Sequence, residues 1–298
     1  MIVAAVDLGT NTTRLLVAEV EGESLRELHR ETRITRLGEG VDARRRLLPV
    51  PIARVRNALS DYRRTAEALG ARRVLAVATS AVRDADNGEA FLGEIEWSYG
   101  FVTRLLSGDE EAQLTRRGVG AAEPGTLIVD IGGGSTELVV DDFHVSLPIG
   151  SVRFTERYGE DITRSRAEAR ALLPELDARR AIGVAGTITT FAALDLGLER
   201  YESERVHGHR LTREAARAQL ERLAALPLAE RRRVPALEPE RAPVIVAGGA
   251  ILLAILDRYG LDAIETSERD ILDGAALAAA ELPEPAEGEA PPGAYTCC

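Results

Sequence analysis

VAAVDLGTNTTRLLVAEV (3–20) and LIVDIGGGSTELVVDD (127–142) follow one pattern. Each opens with an apolar run ending in an aspartate, Asp7 or Asp130. A turn of small residues follows, LGTNTT (8–13) or IGGGST (131–136), and then a second apolar run. Short apolar runs bounded by Gly, Ser, Thr and Asn read as strands, and the small turn between them as a connection of two strands. Small residues let several backbone N–H groups converge on one anion, and an aspartate at a strand end can hold a hydrated divalent cation beside it. One such turn is an ordinary Gly-rich hairpin. Two of them, 123 residues apart, are expected to grip a phosphate chain and its metal from opposite sides of a cleft.

Outward from these two stretches, further strands are expected at VLAVAT (74–79), FVTRLL (101–106) and AIGVA (181–185). Helical spacing fills the gaps. Ile52, Val55, Leu59, Tyr62, Ala66 and Leu69 recur at i, i+3, i+4 up to Gly70, and 109–119, 165–176, 212–226 and 247–259 carry similar patterns. Alternation of strands and helices is the mark of an α/β chain. The Gly/Ala/Pro-rich stretch GVGAAEPGT (118–126) is the expected hinge between two domains.

Composition narrows the chemistry. All 37 basic residues of the 298 are arginine, so no lysine Schiff base, phosphate lysine or lysine base is available. The net charge of −11 argues against a broad nucleic-acid surface or a polybasic membrane patch. It is unevenly spread: residues 1–118 balance 18 Arg against 18 acids, whereas 119–298 carry 19 against 30. The first half, or a cleft between the halves, is therefore the better place for an anion. No apolar run has the length of a membrane span and the start lacks a basic leader region, which reads as a cytoplasmic protein. Cys297 and Cys298 are adjacent behind a Pro/Glu/Gly-rich stretch and make no structural staple. His207 and His209 lack further ligands at zinc spacing, and no G-x-S-x-G turn starts a serine triad. The runs 43–46 and 231–233 read as solvated surface, and Trp97 as a partly buried aromatic at a helix end.

In order along the chain, VDLGTNTTRLLVAE (6–19), VATSAVRDADN (77–87), LLSGDEEAQL (105–114), VDIGGGSTELV (129–139) and SLPIGSVRFTE (146–156), followed by VAGTITT (184–190) and VIVAGGAILLAIL (244–256), resemble the exopolyphosphatase/guanosine pentaphosphate phosphatase (Ppx/GppA) family in its short form. That family lies within the actin, hexokinase and Hsp70 ATPase superfamily. The resemblance implies an α/β fold of two ribonuclease-H-like domains, 1–118 and 119–269, with an active site in the cleft between them. It also implies that the helix 270–280 packs back on the first domain, ahead of a disordered tail, 281–298.

The resemblance further implies release of terminal orthophosphate from inorganic polyphosphate, with pppGpp as the alternative substrate and a non-catalytic nucleotide sensor as the alternative from another class. Glu111 matches the catalytic base that would orient the attacking water. Arg83 would grip phosphate oxygens with its planar fork, with Arg33 and Arg36 as weaker candidates. Asp7, Asp130 and Glu137 would hold Mg2+, with Mn2+ as a substitute. Gly9, Thr10, Asn11, Thr12 and Arg14 in the first loop, and Gly132, Gly133, Gly134, Ser135 and Thr136 in the second, would contact substrate. Asp109 and Glu110 read as acids that complement a helix dipole. A homodimer without nucleic-acid or membrane partners is the expected assembly, and a short arginine track implies a preference for short chains.

Overall fold

Strand β1 (Ile2–Leu8) carries the first aspartate turn and pairs antiparallel with β2 (Thr12–Glu21), which pairs antiparallel with β3 (Ser24–Ile34). On its other side β1 runs parallel to β4 (Val74–Ala78), and β4 parallel to β5 (Val102–Leu105), so the sheet has the order β3-β2-β1-β4-β5. The second aspartate turn starts the same row again. β6 (Thr126–Ile131), β7 (Thr136–Val140), β8 (Phe143–Leu147), β9 (Arg180–Val184), β10 (Arg210–Thr212) and β11 (Ala263–Thr266) form the order β8-β7-β6-β9-β11-β10. Its first five strands repeat the directions of the first sheet, and β10 adds an antiparallel edge. This is the duplicated ribonuclease-H-like, mixed-sheet α/β fold. The computed structural model describes residues 1–283. Among the described residues, Met1–Gly118 and 271–283 form one unit, Val119–Asp270 the other.

Apart from Asp7, β1 is apolar because both of its faces are covered. Ala4, Val6 and Leu8 pack with Leu15 and Val17 against Val55, Leu59 and Tyr62 of the helix Pro49–Ala68 and Phe91 and Ile95 of the helix Gly88–Tyr99. Val3, Ala5, Leu16, Leu75 and Val77 point the other way, onto Ile271, Leu272, Ala275, Ala276 and Ala279 of the helix Ile271–Ala280. That helix approaches closely because Gly274 has no side chain. A Cβ there would lie 2.0 Å from the Leu114 carbonyl oxygen. Buried Asp273 accepts two 3.0 Å bonds from Arg30 of β3.

In the second unit the helix Ile245–Arg258 is buried from Ile245 to Leu256 and joins the core of β6, β7, β9 and the helices around them. The helix Ile162–Leu172 starts earlier than its apolar spacing suggests, because Asp161 caps it by accepting a 2.9 Å bond from the Arg164 N–H, and it stops ahead of Pro174.

Three local expectations change. Leu282 is buried against the first unit's core and Glu281 pairs with Arg117 at 2.6 Å, so the chain stays packed to that point instead of leaving the fold at 281. The rest of the expected tail, with Cys297 and Cys298, lies outside the described residues. Trp97 is 76% exposed, not partly buried. Arg231, read as surface, is wholly buried: it donates to the carbonyls of Leu223, Leu226 and Ala242 and to both oxygens of Glu160. Every N–H of its guanidinium has a role, which is what permits a buried arginine.

Candidate active site

In the first unit, Leu8, Ala78 and Leu105 are register neighbours at the carboxyl ends of β1, β4 and β5. The chain leaves all three strands at one end of the sheet, where open α/β sheets carry their ligand loops. β1 leads into Gly9–Thr12, β4 into the short helix Ser80–Arg83, and β5 into the helix Gly108–Val119. The start of that last helix is fixed by a capping box. The Ser107 N–H and hydroxyl meet Glu110 Oε2 at 2.8 Å, and the Glu110 N–H donates to Ser107 Oγ at 3.2 Å. These bonds hold the Glu110 carboxyl below its ordinary range and make it a structural acid, as its place in the sequence suggests. The next residue, Glu111, turns inward and is buried. Its Oε2 accepts a 3.1 Å bond from Arg83 Nη1, which also donates to the Leu106 carbonyl at 2.7 Å. Thus the expected base and the expected phosphate-binding arginine form one pair.

The two loops are built alike. Gly9 N–H donates to Thr12 O and Gly132 N–H to Ser135 O, each at 3.0 Å. A Cβ on Gly9 or Gly132 would press on those same acceptors at 3.0 and 3.1 Å. Each loop is also backed by the segment that follows the third strand of its sheet. Gly38 N–H donates to Thr10 O, and the Thr35 and Arg36 N–H groups to Asn11 O. In the second unit Ser151 N–H donates to Gly132 O, and the Val152 and Arg153 N–H groups to Gly133 O. Arg153 Nε adds a 2.7 Å bond to Gly134 O. In a trans peptide the N–H points opposite to the C=O. Turning the carbonyls of Gly132, Gly133 and Gly134 onto this backing therefore turns the N–H groups of Gly133, Gly134 and Ser135 to the opposite side. The same argument orients the N–H groups of Asn11 and Thr12. Successive N–H groups turned to one side form an anion nest. Contacts are tight at both places: a Cβ on Gly150 would lie 2.3 Å from Gly133 O, and one on Gly38 would lie 2.3 Å from Thr10 Cγ2.

The duplication also sets the charged residues in register. Asp7 faces Arg14 across β1 and β2, and Asp130 faces Glu137 across β6 and β7. Arg14 donates Nε and Nη2 to Asp7 Oδ2 at 2.9 and 2.8 Å. Arg14 is therefore paired with the aspartate, and Asp7 meets a guanidinium where a metal ion was expected. Asp130 and Glu137 are different. Both are buried, at 6% and 2% exposure, and directly opposed on one face of the sheet. Two hard carboxylate donors side by side suit Mg2+, which completes its shell with water and substrate oxygens. Among the described residues no group of three or more His, Cys, Asp and Glu converges on one metal position.

Other candidates divide. Thr10, Asn11 and Ser135 sit in the loops with little exposure. Thr136, expected to donate to substrate, gives its hydroxyl hydrogen to Ile149 O at 2.6 Å. Arg33 is tied to Glu31 and Asp61 and lies over the Tyr62 ring. The backing segments, with Arg153, carry no role in the sequence reading. Their signal was present in the repeat, because a glycine follows the third strand in both halves, as RLG (36–38) and PIG (148–150).

The profile of the Ppx/GppA phosphatase family matches residues 16–280. The chain belongs to that family. Exopolyphosphatase 2 of Mycobacterium tuberculosis is 39% identical to it over 93% of this chain and 98% of that protein. A guanosine-5′-triphosphate,3′-diphosphate pyrophosphatase of Aeromonas hydrophila is 29% identical over 91% of this chain and 58% of its own length. Among solved Ppx/GppA structures, the Aquifex aeolicus PPX-GPPA enzyme superposes with a TM-score of 0.79 at 31% identity, covering 93% of this chain and 99% of that one.

Proposed function

We propose that this Ppx/GppA phosphatase hydrolyses the terminal phosphoanhydride of inorganic polyphosphate and releases orthophosphate. The observation that carries the reading is the pair of alike anion nests, each held by backbone hydrogen bonds, in a chain whose helix Gly108–Val119 presents Glu111 beside Arg83. The similarity to exopolyphosphatase 2 supports polyphosphate as the substrate class.

Glu111 orients a water and takes its proton as the water oxygen bonds to the terminal phosphorus; the bridging P–O bond breaks and the shortened chain leaves with the electron pair. Arg83 holds Glu111 and a phosphate oxygen. In the first unit the N–H groups of Asn11 and Thr12, and in the second those of Gly133, Gly134 and Ser135, would each bind phosphate oxygens of the chain. Asp130 and Glu137 would hold Mg2+, with Mn2+ as a substitute, and the cation would neutralise charge on phosphate oxygens. Residues 119–298, with 19 Arg against 30 acids, would repel a polymer that continued across them, so short chains and distributive release are the proposed mode.

The guanosine relative favours pppGpp as a second reading. Phosphate release from graded polyphosphates and from pppGpp, each with and without Mg2+, tests both. Faster turnover of pppGpp would reverse the order, and full activity in chelator would remove the cation. Among the described residues no helix is long and apolar enough to cross a membrane. A cytoplasmic homodimer is the proposed working form, and light scattering tests its size.

A further inference from the structure

Asp130 and Glu137 do not end their row. In the ladder between β7 and β8, Glu137 is the register partner of Ser146. The three residues Asp130, Glu137 and Ser146 thus stand side by side on three adjacent strands, and Ser146 Oγ donates to Glu137 Oε1 at 2.7 Å. An ionised carboxylate only accepts, so the hydroxyl hydrogen lies on the serine side of this bond. Short donor–acceptor distances to an ionised oxygen mark the stronger class of hydrogen bond. In the first unit the equivalent row reads Asp7, Arg14 and Thr32, in which the middle residue is held by the ion pair with Asp7. In the second unit the middle residue is itself an acid, and the hydroxyl on the third strand holds one of its oxygens.

We propose that Ser146 is a positioning residue for Glu137. By fixing Oε1 it sets the rotation of the carboxylate and so presents the other oxygen to a divalent cation. The proposal rests on the reading of Glu137 as a cation ligand. β8 is a five-residue edge strand whose ladder partner is β7. Within six residues of Ser146 the same chain supplies Ser151 and Val152, which hold the second loop. β8 and the segment that follows it therefore orient both the carboxylate and the N–H groups that follow Asp130. Outer-shell groups that hold a ligating side chain typically account for about 10–100-fold in metal affinity.

The test uses the full chain and Mg2+ alone as the probe. Thermal unfolding is followed as a function of Mg2+ concentration, because a cation that binds the folded protein raises its melting temperature by mass action. Ser146→Ala should move the half-maximal Mg2+ concentration upward by about 10–100-fold. The metal-free melting temperature should stay close to that of the wild type. Ser146→Thr, which restores the hydroxyl, should recover most of the shift. The Mg2+ dependence of kcat should move in parallel, with saturating kcat less affected than the midpoint. Glu137→Gln is the control. If it abolishes the Mg2+ response and Ser146→Ala leaves the midpoint unchanged, Glu137 binds the cation without help and the positioning role is wrong. If Glu137→Gln changes nothing, or the wild type shows no Mg2+ response, the reading of Glu137 fails and takes the proposal with it.

Discussion

Gly150→Ala is the sharpest perturbation of the second anion nest. Gly150 is extended, with φ −151° and ψ 153°, so alanine adopts its backbone without strain and the effect is steric alone. The new Cβ would lie 2.3 Å from Gly133 O, 2.5 Å from Gly133 C and 2.6 Å from Gly134 C, all main-chain atoms that cannot rotate aside. Restoring an ordinary contact near 3.4 Å requires a displacement of about 1 Å between the loop and its backing. A misplacement of about 1 Å costs on the order of 10²-fold in rate, or about 2.7 kcal/mol of transition-state stabilisation. The assay is steady-state phosphate release from polyphosphate at saturating Mg2+, with thermal melts to establish that the variant is folded. Gly93→Ala is the matched control: it lies within the helix Gly88–Tyr99, its Cβ would meet nothing within 4 Å, and it should leave kcat/KM alone while raising stability by about 1 kcal/mol. A folded Gly150→Ala protein with kcat/KM within threefold of wild type would refute the argument that this contact orients the loop.

Glu111→Gln should lower kcat by about 10²–10⁴ while polyphosphate binding, measured by calorimetry, persists; near-normal turnover would remove Glu111 as the base. Arg83→Ala should raise KM and lower kcat together, whereas Arg46→Ala, an exposed residue in the 43–46 run, should change neither; equal losses would move the anion path to that run. Glu160→Ala leaves the buried Arg231 without its carboxylate and should cost about 3 kcal/mol in urea unfolding. Arg231 also holds the Glu160 carboxyl below its ordinary value of 4.5. The pair's contribution is therefore complete above that value and is lost as the pH falls through the lower, folded one. An acid limb of stability identical in wild type and Glu160→Ala would contradict this.

What the sequence made legible was local. Both aspartate loops, most strands and the long amphipathic helices announce themselves through apolar periodicity and small-residue turns, whereas Glu111 is set apart from Asp109 and Glu110 only by the family resemblance of its segment. Strand β3 is different. SLRELHRETRI is nearly half charged and has no fully buried residue, and it becomes a strand because β2 offers it a partner, not because its own pattern demands one. Burial of Arg231 was equally hidden, since a run of three arginines looks like surface until Glu160 and three carbonyls from other segments surround one of them. Arg14 taught the same lesson in reverse. Its place in a phosphate loop suggested a substrate contact and gave no sign of the ion pair that an antiparallel register makes by setting it opposite Asp7.

The helix Ile271–Ala280 covers a face of a sheet whose strands were completed by Leu105. A ribosome makes that cover last. While residues 106–270 are being added, Val3, Ala5, Leu16 and Val77 have no helix against them, and the second unit, continuous from Val119 to Asp270, can reach its final contacts first. The nascent first unit must therefore wait with an apolar face open, a natural client for a chaperone. A stop codon at position 271 would make that exposure permanent, yet leave the second unit, complete at Asp270, free to fold.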